Sequence, residues 1–415
     1  MIDTADVVVI GAGAFGASAA YHLARLGQRS VALLDKFALG SQTSPRAAGL
    51  TGQVRSTEVL TRLAMRGVSK LATFSQETGQ PLRFDQSGAL KIARTEQHVA
   101  QLQREVARGK ACGVDVDFVS TAEARALMPF LMDTGIQAIT YSPTDCNVEP
   151  SQVALGYCRA AEALGVTTLP NTGVVGFDVG PDGVRQVLTE RGPIRTSTVV
   201  DAAGAWSRLV GELAGARVQV VPTRHQLFIT EPIAGVTPKM PIARVIDSNV
   251  YMRHERGGLM LGGYESNPRQ YDMHELGPSF QIADLELDIE VLHRLARSVR
   301  DQFPIFQEPT VRIAEHRGGL PTMTTDDRYL VGPVRGLRGF WVMSGCCVGG
   351  LSISPALGEM LAQWIVDGEP PIDVSDISLD RFVGHELPED ELRERCRAAY
   401  ANHYSLLFDA PLDGR

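Results

Sequence analysis

The chain has 415 residues, with 40 lysines and arginines against 48 acidic residues and a formal charge of -8. That length suits two or three domains around a sizeable core and excludes a peptide or coiled-coil module. Neither charge sign gathers into a long run, so nucleic acid and membrane surfaces are not expected partners. Glycine accounts for 41 residues, above the usual share of about 7%, which implies many close backbone approaches.

Six cysteines, Cys112, Cys146, Cys158, Cys346, Cys347 and Cys396, are too sparse for a disulfide scaffold and lack the CxxC spacing of a zinc site. Reduced thiols and no metal are expected. The chain starts with acidic Asp3 and Asp6 and passes into Val7-Val8-Val9-Ile10, without a basic region or an A-x-A-like cleavage site. Neither export nor organelle import is read there, and a cytoplasmic protein is expected. No uncharged apolar run approaches the roughly 20 residues of a membrane span.

Asp6 to Ile10 reads as a strand buried on both faces, and Gly11-Ala12-Gly13-Ala14-Phe15-Gly16 follows it directly. A helix is predicted from Ala17 to Leu26, ended by Gly27, and a second strand from Val31 closes on Asp35. In this strand, helix and strand frame, Gly11 permits the turn, Gly13 admits a pyrophosphate and Gly16 lets helix and strand pack. The phosphates would lie over the helix N-terminus, with Asp35 placed to accept ribose hydroxyls. Dinucleotide binding is predicted, and the motif alone does not separate FAD from NAD.

Further along, a surface helix is predicted at Glu96–Lys110 and a capping box at Ser120 to Glu123. Two strands flank Gly180-Pro181-Asp182-Gly183 as a hairpin. Another strand at Val199–Asp201 runs into the small residues Ala202-Ala203-Gly204-Ala205, then Trp206, and a helix from about Ser207. Strand-like stretches occur around Leu227–Ile229 and Leu259–Leu261. A strand at Phe340–Met343 leads through Ser344-Gly345-Cys346-Cys347-Val348-Gly349-Gly350 into a helix that Gly368-Glu369-Pro370-Pro371 ends. The predicted fold is α/β: a Rossmann-like nucleotide domain with a β-meander, interleaved with a domain on a large mixed or antiparallel sheet. The nucleotide domain takes residues 1–81, 147–219 and 314–370, and the second domain 82–146 and 220–313. Residues 371–415 are expected to be a peripheral C-terminal segment.

The glycine turn, Asp35-Lys36, the meander, Val200 to Trp206, and Gly319-Leu320-Pro321-Thr322 through Val331-Gly332-Pro333 together resemble the D-amino-acid oxidase and sarcosine oxidase superfamily of FAD enzymes. The stretches Pro222-Thr-Arg-His225-Gln226, Val250-Tyr251-Met252-Arg253, Leu261 to Glu265 and Trp364 to Pro371 are most similar to the flavin part of dimethylglycine and sarcosine dehydrogenases. The resemblance implies FAD contacts at Gly11, Gly13, Ala14, Phe15, Gly16, Asp35 and Lys36, and in the loop Arg46, Ala47, Ala48, Gly49 and Leu50. It implies others at Val174 and Val175, at Ala202, Ala203, Gly204 and Trp206, at Gly319 and Pro321, and at Gly345, Cys346, Val348, Gly349, Gly350, Leu351 and Ser352. His225 and Tyr251 are the implied catalytic pair, with Arg55 and Arg253 as candidates for a substrate carboxylate.

Three departures qualify that reading. Arg46 stands where such dehydrogenases have a flavin-linking histidine, and Gly319 where monomeric sarcosine oxidases have a flavin-linking cysteine, so FAD is expected to be noncovalent. Met260 aligns with the oxygen-activating lysine of those oxidases, which puts efficient oxidase chemistry in doubt. The folate-binding domain of dimethylglycine dehydrogenases is not expected before Arg415. The implied reaction is hydride transfer to flavin N5 from the carbon beside the nitrogen of a small N-methylated amino acid or amine, then imine hydrolysis, a net N-demethylation. Oxygen or an electron-transfer protein would take the electrons, and a homo-oligomer or heteromeric subunit is compatible with the sequence. Deamination of a primary or cyclic amino acid is the alternative, although Pro321 stands where those oxidases have a carboxylate-binding arginine. A flavin-bearing electron-transfer subunit is the alternative from another class.

Overall fold

The computed structural model describes residues 2–28 and 30–404. Two sheets organise the chain. The first has six strands in the order Leu330–Pro333, Phe340–Ser344, Val199–Asp201, Val7–Ile10, Val31–Leu34 and Thr167–Leu169. All neighbours pair in parallel except the Leu330–Pro333 edge. Val7–Ile10 lies inside this sheet and is buried at every position, which is why it reads as continuous β-branched residues rather than as an alternation. The predicted meander is present as Val174–Gly180, Gly183–Thr189 and Gly192–Arg195.

The helix Ala14–Arg25 leaves the first strand through the glycine turn and packs between the sheet and the helices Glu58–Ala72, Pro150–Ala163 and Gly350–Asp367. Gly11 has φ +99°, and a Cβ there would meet the Ala202 carbonyl oxygen at 2.5 Å; a Cβ on Gly16 would stand 1.9 Å from the Gly11 carbonyl oxygen. Both glycines are therefore steric requirements of the turn.

The second sheet has eight strands in the order Ile313–Gly319, His225–Thr230, Gly258–Gly263, Val250–Glu255, Ile242–Val245, Ala89–Ala93, Ala138–Ser142 and Asp117–Val119. It is antiparallel except where Ile242–Val245 runs parallel to Ala89–Ala93. The helix Ile289–Ser298 covers one face, burying Val291, Leu292 and Leu295. The fold is mixed α/β, and both sheets are mixed: the first is parallel but for one edge strand and the second antiparallel but for one pair.

Two placements differ from expectation. The strand Ile313–Gly319 straddles the expected boundary at 314, yet it pairs along its length with His225–Thr230 in the large sheet. The segment after 371 is not peripheral: its helix Glu389–Ala401 buries Leu392, Cys396, Ala399 and Tyr400 against Val221, Tyr251, Tyr264 and Met323. Its many charges face solvent, and they mask a stripe of buried residues at helical spacing. Residues 405–415 of that expectation lie outside the described residues. No helix among the described residues is long and apolar enough to cross a membrane, and no group of histidine, cysteine or acidic residues among them could hold a metal ion.

Candidate active site

A large cavity, about 1250 Å³ including its solvent-open part, lies between the two sheets. On one side it is walled by Gly13, Ala14 and Phe15, the loop residues Arg46 to Gly52, Ala202, Gly204 and Ala205, and Cys346 and Val348 to Ser352. Two helix N-termini open onto it, those of Ala14–Arg25 and Gly350–Asp367. Neither has a side chain of its own N-cap residue bonded to it, or an acidic residue in its first turn. The Ala14 N–H is served by Ser44 Oγ at 2.9 Å. Free N–H groups and the positive end of the dipole at both termini favour negative charge in the cavity.

The turn entering the second helix is strained. Gly345, Cys347 and Val348 have φ of +62°, +42° and +60°, the last two being residues that rarely adopt left-handed backbone. The turn is pinned by Thr322, whose carbonyl accepts the Cys347 N–H at 2.9 Å and whose Oγ1 accepts the Cys346 N–H at 3.2 Å. Burial raises both thiols above their ordinary range, which disfavours thiolate chemistry there.

The loop 46–50 is held by its carbonyls. Arg253 Nε donates to the Ala48 oxygen at 2.8 Å and Arg317 Nη2 to that of Ala47 at 3.2 Å. Arg46 faces the cavity while its Nη1 donates to the carbonyl oxygens of Ser41 and Gln42. Asp35 does not line the cavity; its carboxylate accepts the Ala12 N–H at 2.8 Å and the Phe37 N–H at 2.7 Å. Burial nevertheless raises it to about 6, and each oxygen keeps a lone pair for a further donor.

Opposite this largely backbone wall, the large sheet contributes His225, Arg244 and Tyr251. His225 Nε2 lies 2.8 Å from the Tyr251 hydroxyl, and Nδ1 lies 2.8 Å from that of Tyr400. All three are buried. Desolvation, helped by His403, lowers His225 to about 3, so at neutral pH it is a neutral imidazole with one donor and one acceptor. Tyr264 stacks on His403 at 4.3 Å and approaches His225 at 5.1 Å. His403 and Tyr404 complete the wall, and His403 Nδ1 stands 2.8 Å from Asp327 Oδ2.

The two expected carboxylate arginines part company. Arg55 lines the cavity, with Nη2 at 3.4 Å from Ser352 Oγ. Arg253 is fully buried: its Nε and Nη1 bond Ala48, the His254 carbonyl at 2.6 Å and Glu255 at 2.5 Å, its Nη2 finds no acceptor among the described residues, and it does not line the cavity. Arg244 takes the place expected of it. Its Nη2 donates to the Thr51 carbonyl at 2.6 Å, while its Nη1 is buried and finds no acceptor among the described residues.

Several expected cofactor contacts fall outside the lining. Gly11 and Gly16 shape the turn, Ala203 and Gly345 do not line the cavity, and Lys36 places its ammonium over the Phe37 ring. Trp206 packs on Phe37 at 5.5 Å. Val174 is half-buried and Val175 is 54% exposed on the meander. Gly319, Leu320 and Pro321 do line the cavity. Met260 does not; it is fully buried, packed with Leu227 and Ile229 beneath Ala48.

Arg244, Tyr400, His403 and Tyr404 escape the sequence reading, although two signals for them exist. Arg244 is a lone charge in the apolar run Pro241-Ile-Ala-Arg244-Val-Ile246, and Tyr400 continues the spacing of Leu392, Cys396 and Ala399.

Residues 6–364 match the FAD dependent oxidoreductase family, and residues 367–412 match the FAD dependent oxidoreductase central domain. The chain is 34% identical to the mitochondrial sarcosine dehydrogenase of Homo sapiens, over 99% of this chain and 45% of that protein. It is 29% identical to the mitochondrial dimethylglycine dehydrogenase of Rattus norvegicus, over 92% of this chain and 45% of the relative. It therefore spans about half the length of these curated relatives. Among solved structures it is similar to L-proline dehydrogenase from P. horikoshii, at 25% identity with a TM-score of 0.83, covering 94% of this chain and 100% of the other. It shares the fold of glycine oxidase from Geobacillus kaustophilus, at 22% identity with a TM-score of 0.78, covering 90% and 98%. The nucleotide turn, the interleaved sheets and these likenesses agree, and the chain belongs to the FAD-dependent oxidoreductase family.

Proposed function

We propose that the chain oxidises the C–N bond of a small N-methylated amino acid or amine, and that it binds FAD without a covalent link. The observation that carries the reading is the facing of two walls across one cavity: two helix N-termini without acidic first turns and the glycine turn on one side, and the buried pair His225 and Tyr251 on the other. The residues present fit the cofactor. The turn Gly13 to Phe15 would hold the pyrophosphate, Asp35 the ribose, and Cys346 to Ser352 with the loop Arg46 to Leu50 the ring system. Bound FAD supplies the acceptor for a hydride from the carbon beside the amine nitrogen.

The chain's own residues bind and orient. Arg244 Nη1 and Arg55 offer guanidinium donors to the substrate carboxylate. The Tyr251 hydroxyl, fixed by His225, contacts the nitrogen, and His225 accepts a proton at Nε2 through that hydroxyl as the amine is made neutral. Its depressed basicity means that it does not keep the proton: uptake at Nε2 is matched by release of the Nδ1 proton to the Tyr400 hydroxyl, 2.8 Å away, and on to solvent. Tyr264, His403 and Tyr404 exclude water from this end and offer ring faces to an N-methyl cation.

Support for the substrate class comes from relatives that act on sarcosine, dimethylglycine and 4-methylaminobutanoate. Anaerobic mixing with sarcosine, dimethylglycine and N-methylated homologues is expected to bleach the flavin. Bleaching by glycine or proline instead would transfer the reading to deamination, and no bleaching by any amine would leave an electron-transfer subunit. Position 46 holds arginine and position 319 glycine, yet His225, His403 and Cys346 also face the cavity. Acid precipitation tests the noncovalent link: yellow supernatant is expected, and flavin in the pellet would defeat it.

A further inference from the structure

Two histidines face the cavity, and proton transfer from the amine uses only His225. His403 lines the same space with one aromatic ring between them: Tyr264 lies 5.1 Å from His225 and stacks on His403 at 4.3 Å. Their partners differ. His225 meets a tyrosine hydroxyl at each ring nitrogen, whereas His403 meets a carboxylate, its Nδ1 standing 2.8 Å from Asp327 Oδ2. The contact is an ion pair rather than an aligned hydrogen bond, because Nδ1 and Asp327 Oδ1 find no hydrogen-bond partner among the described residues. A braced turn places Asp327 for it. The residue has φ +57°, which is costly outside glycine, and Thr324 Oγ1 clamps the turn by donating to the Arg328 carbonyl at 2.7 Å and accepting the Arg328 N–H at 3.0 Å. The flanking charges have other partners: Asp326 pairs with Arg381 at 2.7 Å and Arg328 with Asp376 at 2.8 Å. Burial raises the Asp327 carboxyl against the pull of His403, and a more basic carboxylate holds a protonated imidazole more firmly.

His403 also stands in the wall of a second chamber, about 1060 Å³ including its solvent-open part, which shares Gly52, Arg55, Arg244, His403 and Tyr404 with the cavity. Its ring thus borders both the reactant space and a space open to solvent. We propose that His403, with Asp327 as its counter-ion, is the general base that adds water to the imine, so that hydrolysis is completed inside the cavity. The inference rests on the amine-oxidising reading above. His403 and Tyr404 at the junction keep bulk water from the amine, and a water admitted past them meets His403 first. Its oxygen lone pair forms the C–O bond as one of its protons passes to His403, and the C=N electron pair returns to nitrogen. The carbinol O–H proton then leaves to solvent and its electrons form the C=O bond. The C–N bond breaks with its electrons on nitrogen, which takes back the proton from His403, and amine and aldehyde result. His225 does not suit this step, since burial and His403 lower it to about 3 and a base that weak draws little proton from water.

The test uses the FAD-loaded protein, sarcosine and a cyanide trap in a single anaerobic turnover, quenched early and read by mass spectrometry. Imine that leaves the cavity intact is caught as N-cyanomethylglycine, whereas imine hydrolysed inside appears as glycine and formaldehyde. Isotope-labelled glycine in the mixture marks any nitrile formed by recombination. The trapped fraction is counted per flavin reduced, so a change in the rate of reduction does not enter it. Wild type is expected to yield mostly glycine and formaldehyde. His403→Ala should raise the trapped fraction at least about fivefold, since losing a positioned base slows a step by about 100-fold or more. Asp327→Asn should move it in the same direction. Added imidazole should lower it again in His403→Ala but not in Asp327→Asn, where the ring is still in place. Equal trapping in wild type and both variants, or trapping in His403→Ala that imidazole leaves unchanged, would overturn the proposal while amine oxidation stands. Flavin that no N-methylated amine bleaches would overturn the amine reading and the proposal with it.

Discussion

On the nucleotide side of the cavity the contacts are mostly backbone: a glycine turn, two helix N-termini and small residues that let chain approach chain. On the opposite side they are buried side chains drawn from strands and a helix that lie up to 175 residues apart, as Tyr400 does from His225. A backbone site must be written locally, because a turn needs its glycines in consecutive register. A side-chain site needs only that the fold bring the residues together, and each member is a single letter in an otherwise ordinary strand or helix.

The largest effects should break the nucleotide wall. Gly16→Ala puts a Cβ 1.9 Å from the Gly11 oxygen, a backbone clash that cannot relax. Purified variant is expected to carry no flavin. At Gly13 the same atom would lie 3.3 Å from Ser44 Oγ, so alanine is expected to weaken FAD retention and valine to abolish it. Flavin content after gel filtration measures both, and full occupancy in Gly16→Ala would show that the turn is not where the cofactor binds.

On the side-chain wall, His225→Gln and Tyr251→Phe should keep FAD but slow flavin reduction by about 100 to 10,000-fold, the range for loss of a positioned proton-transfer group. Stopped-flow reduction at wild-type speed in both would return the pair to a packing role. Since His225 is neutral down to about 3, the rate in wild type should show no inflection near 6.5 from this residue.

Arg244 and Arg253 sharpen the contrast between facing the cavity and bracing it. Arg244→Met should weaken a bound carboxylate inhibitor by about 10 to 100-fold, the value of a charged hydrogen bond. Arg253→Met takes away the buried partner of Glu255, leaving it to Arg83 at 2.7 Å, and leaves the Ala48 carbonyl without its donor. It should lower stability by about 3 kcal/mol, as breaking a buried ion pair does, with little change in inhibitor affinity for protein that remains folded. The reverse outcome would restore Arg253 as the carboxylate ligand.

What the sequence discloses follows the same division. The turn at Gly11 to Gly16, the hairpin at Pro181-Asp182 and the capping box at Ser120 are local, and their residue patterns alone are enough to place them. His225 and Tyr251 are legible only through family resemblance, because histidine and tyrosine in strands carry no local signature. The role of Arg253 is not legible, since spacing by two from Tyr251 puts both on one face of a strand without saying which part of that face is packed and which is open. The C-terminal helix reads as peripheral because its exposed charges outnumber the few residues it buries.

The smallest effect tests burial itself. His22 and His225 are lowered by desolvation to about 4 and about 3, whereas Asp35 and Asp201 are raised by it to about 6 and about 7. A histidine whose folded pKa lies below its unfolded value contributes stability fully present above the unfolded value, near 6.5, and lost as pH falls toward the folded one, because the unfolded chain then binds the extra proton. A carboxyl whose folded pKa is raised has the opposite sign: between its ordinary value and its raised one, acidification favours the fold. Over pH 6.5 to 5 the two histidines and the two carboxyls therefore oppose one another, and the wild-type stability should be nearly flat there. Removing one histidine tips the balance. Relative to wild type, His225→Gln should gain about 1.5 kcal/mol on going from pH 6.5 to 5, the integral of one proton's binding to the unfolded chain over that interval. Urea unfolding of both proteins at the two pH values measures the difference. A value near zero would mean that His225 is charged or solvated in the fold, and that the side-chain wall is open to water where the structure has it closed.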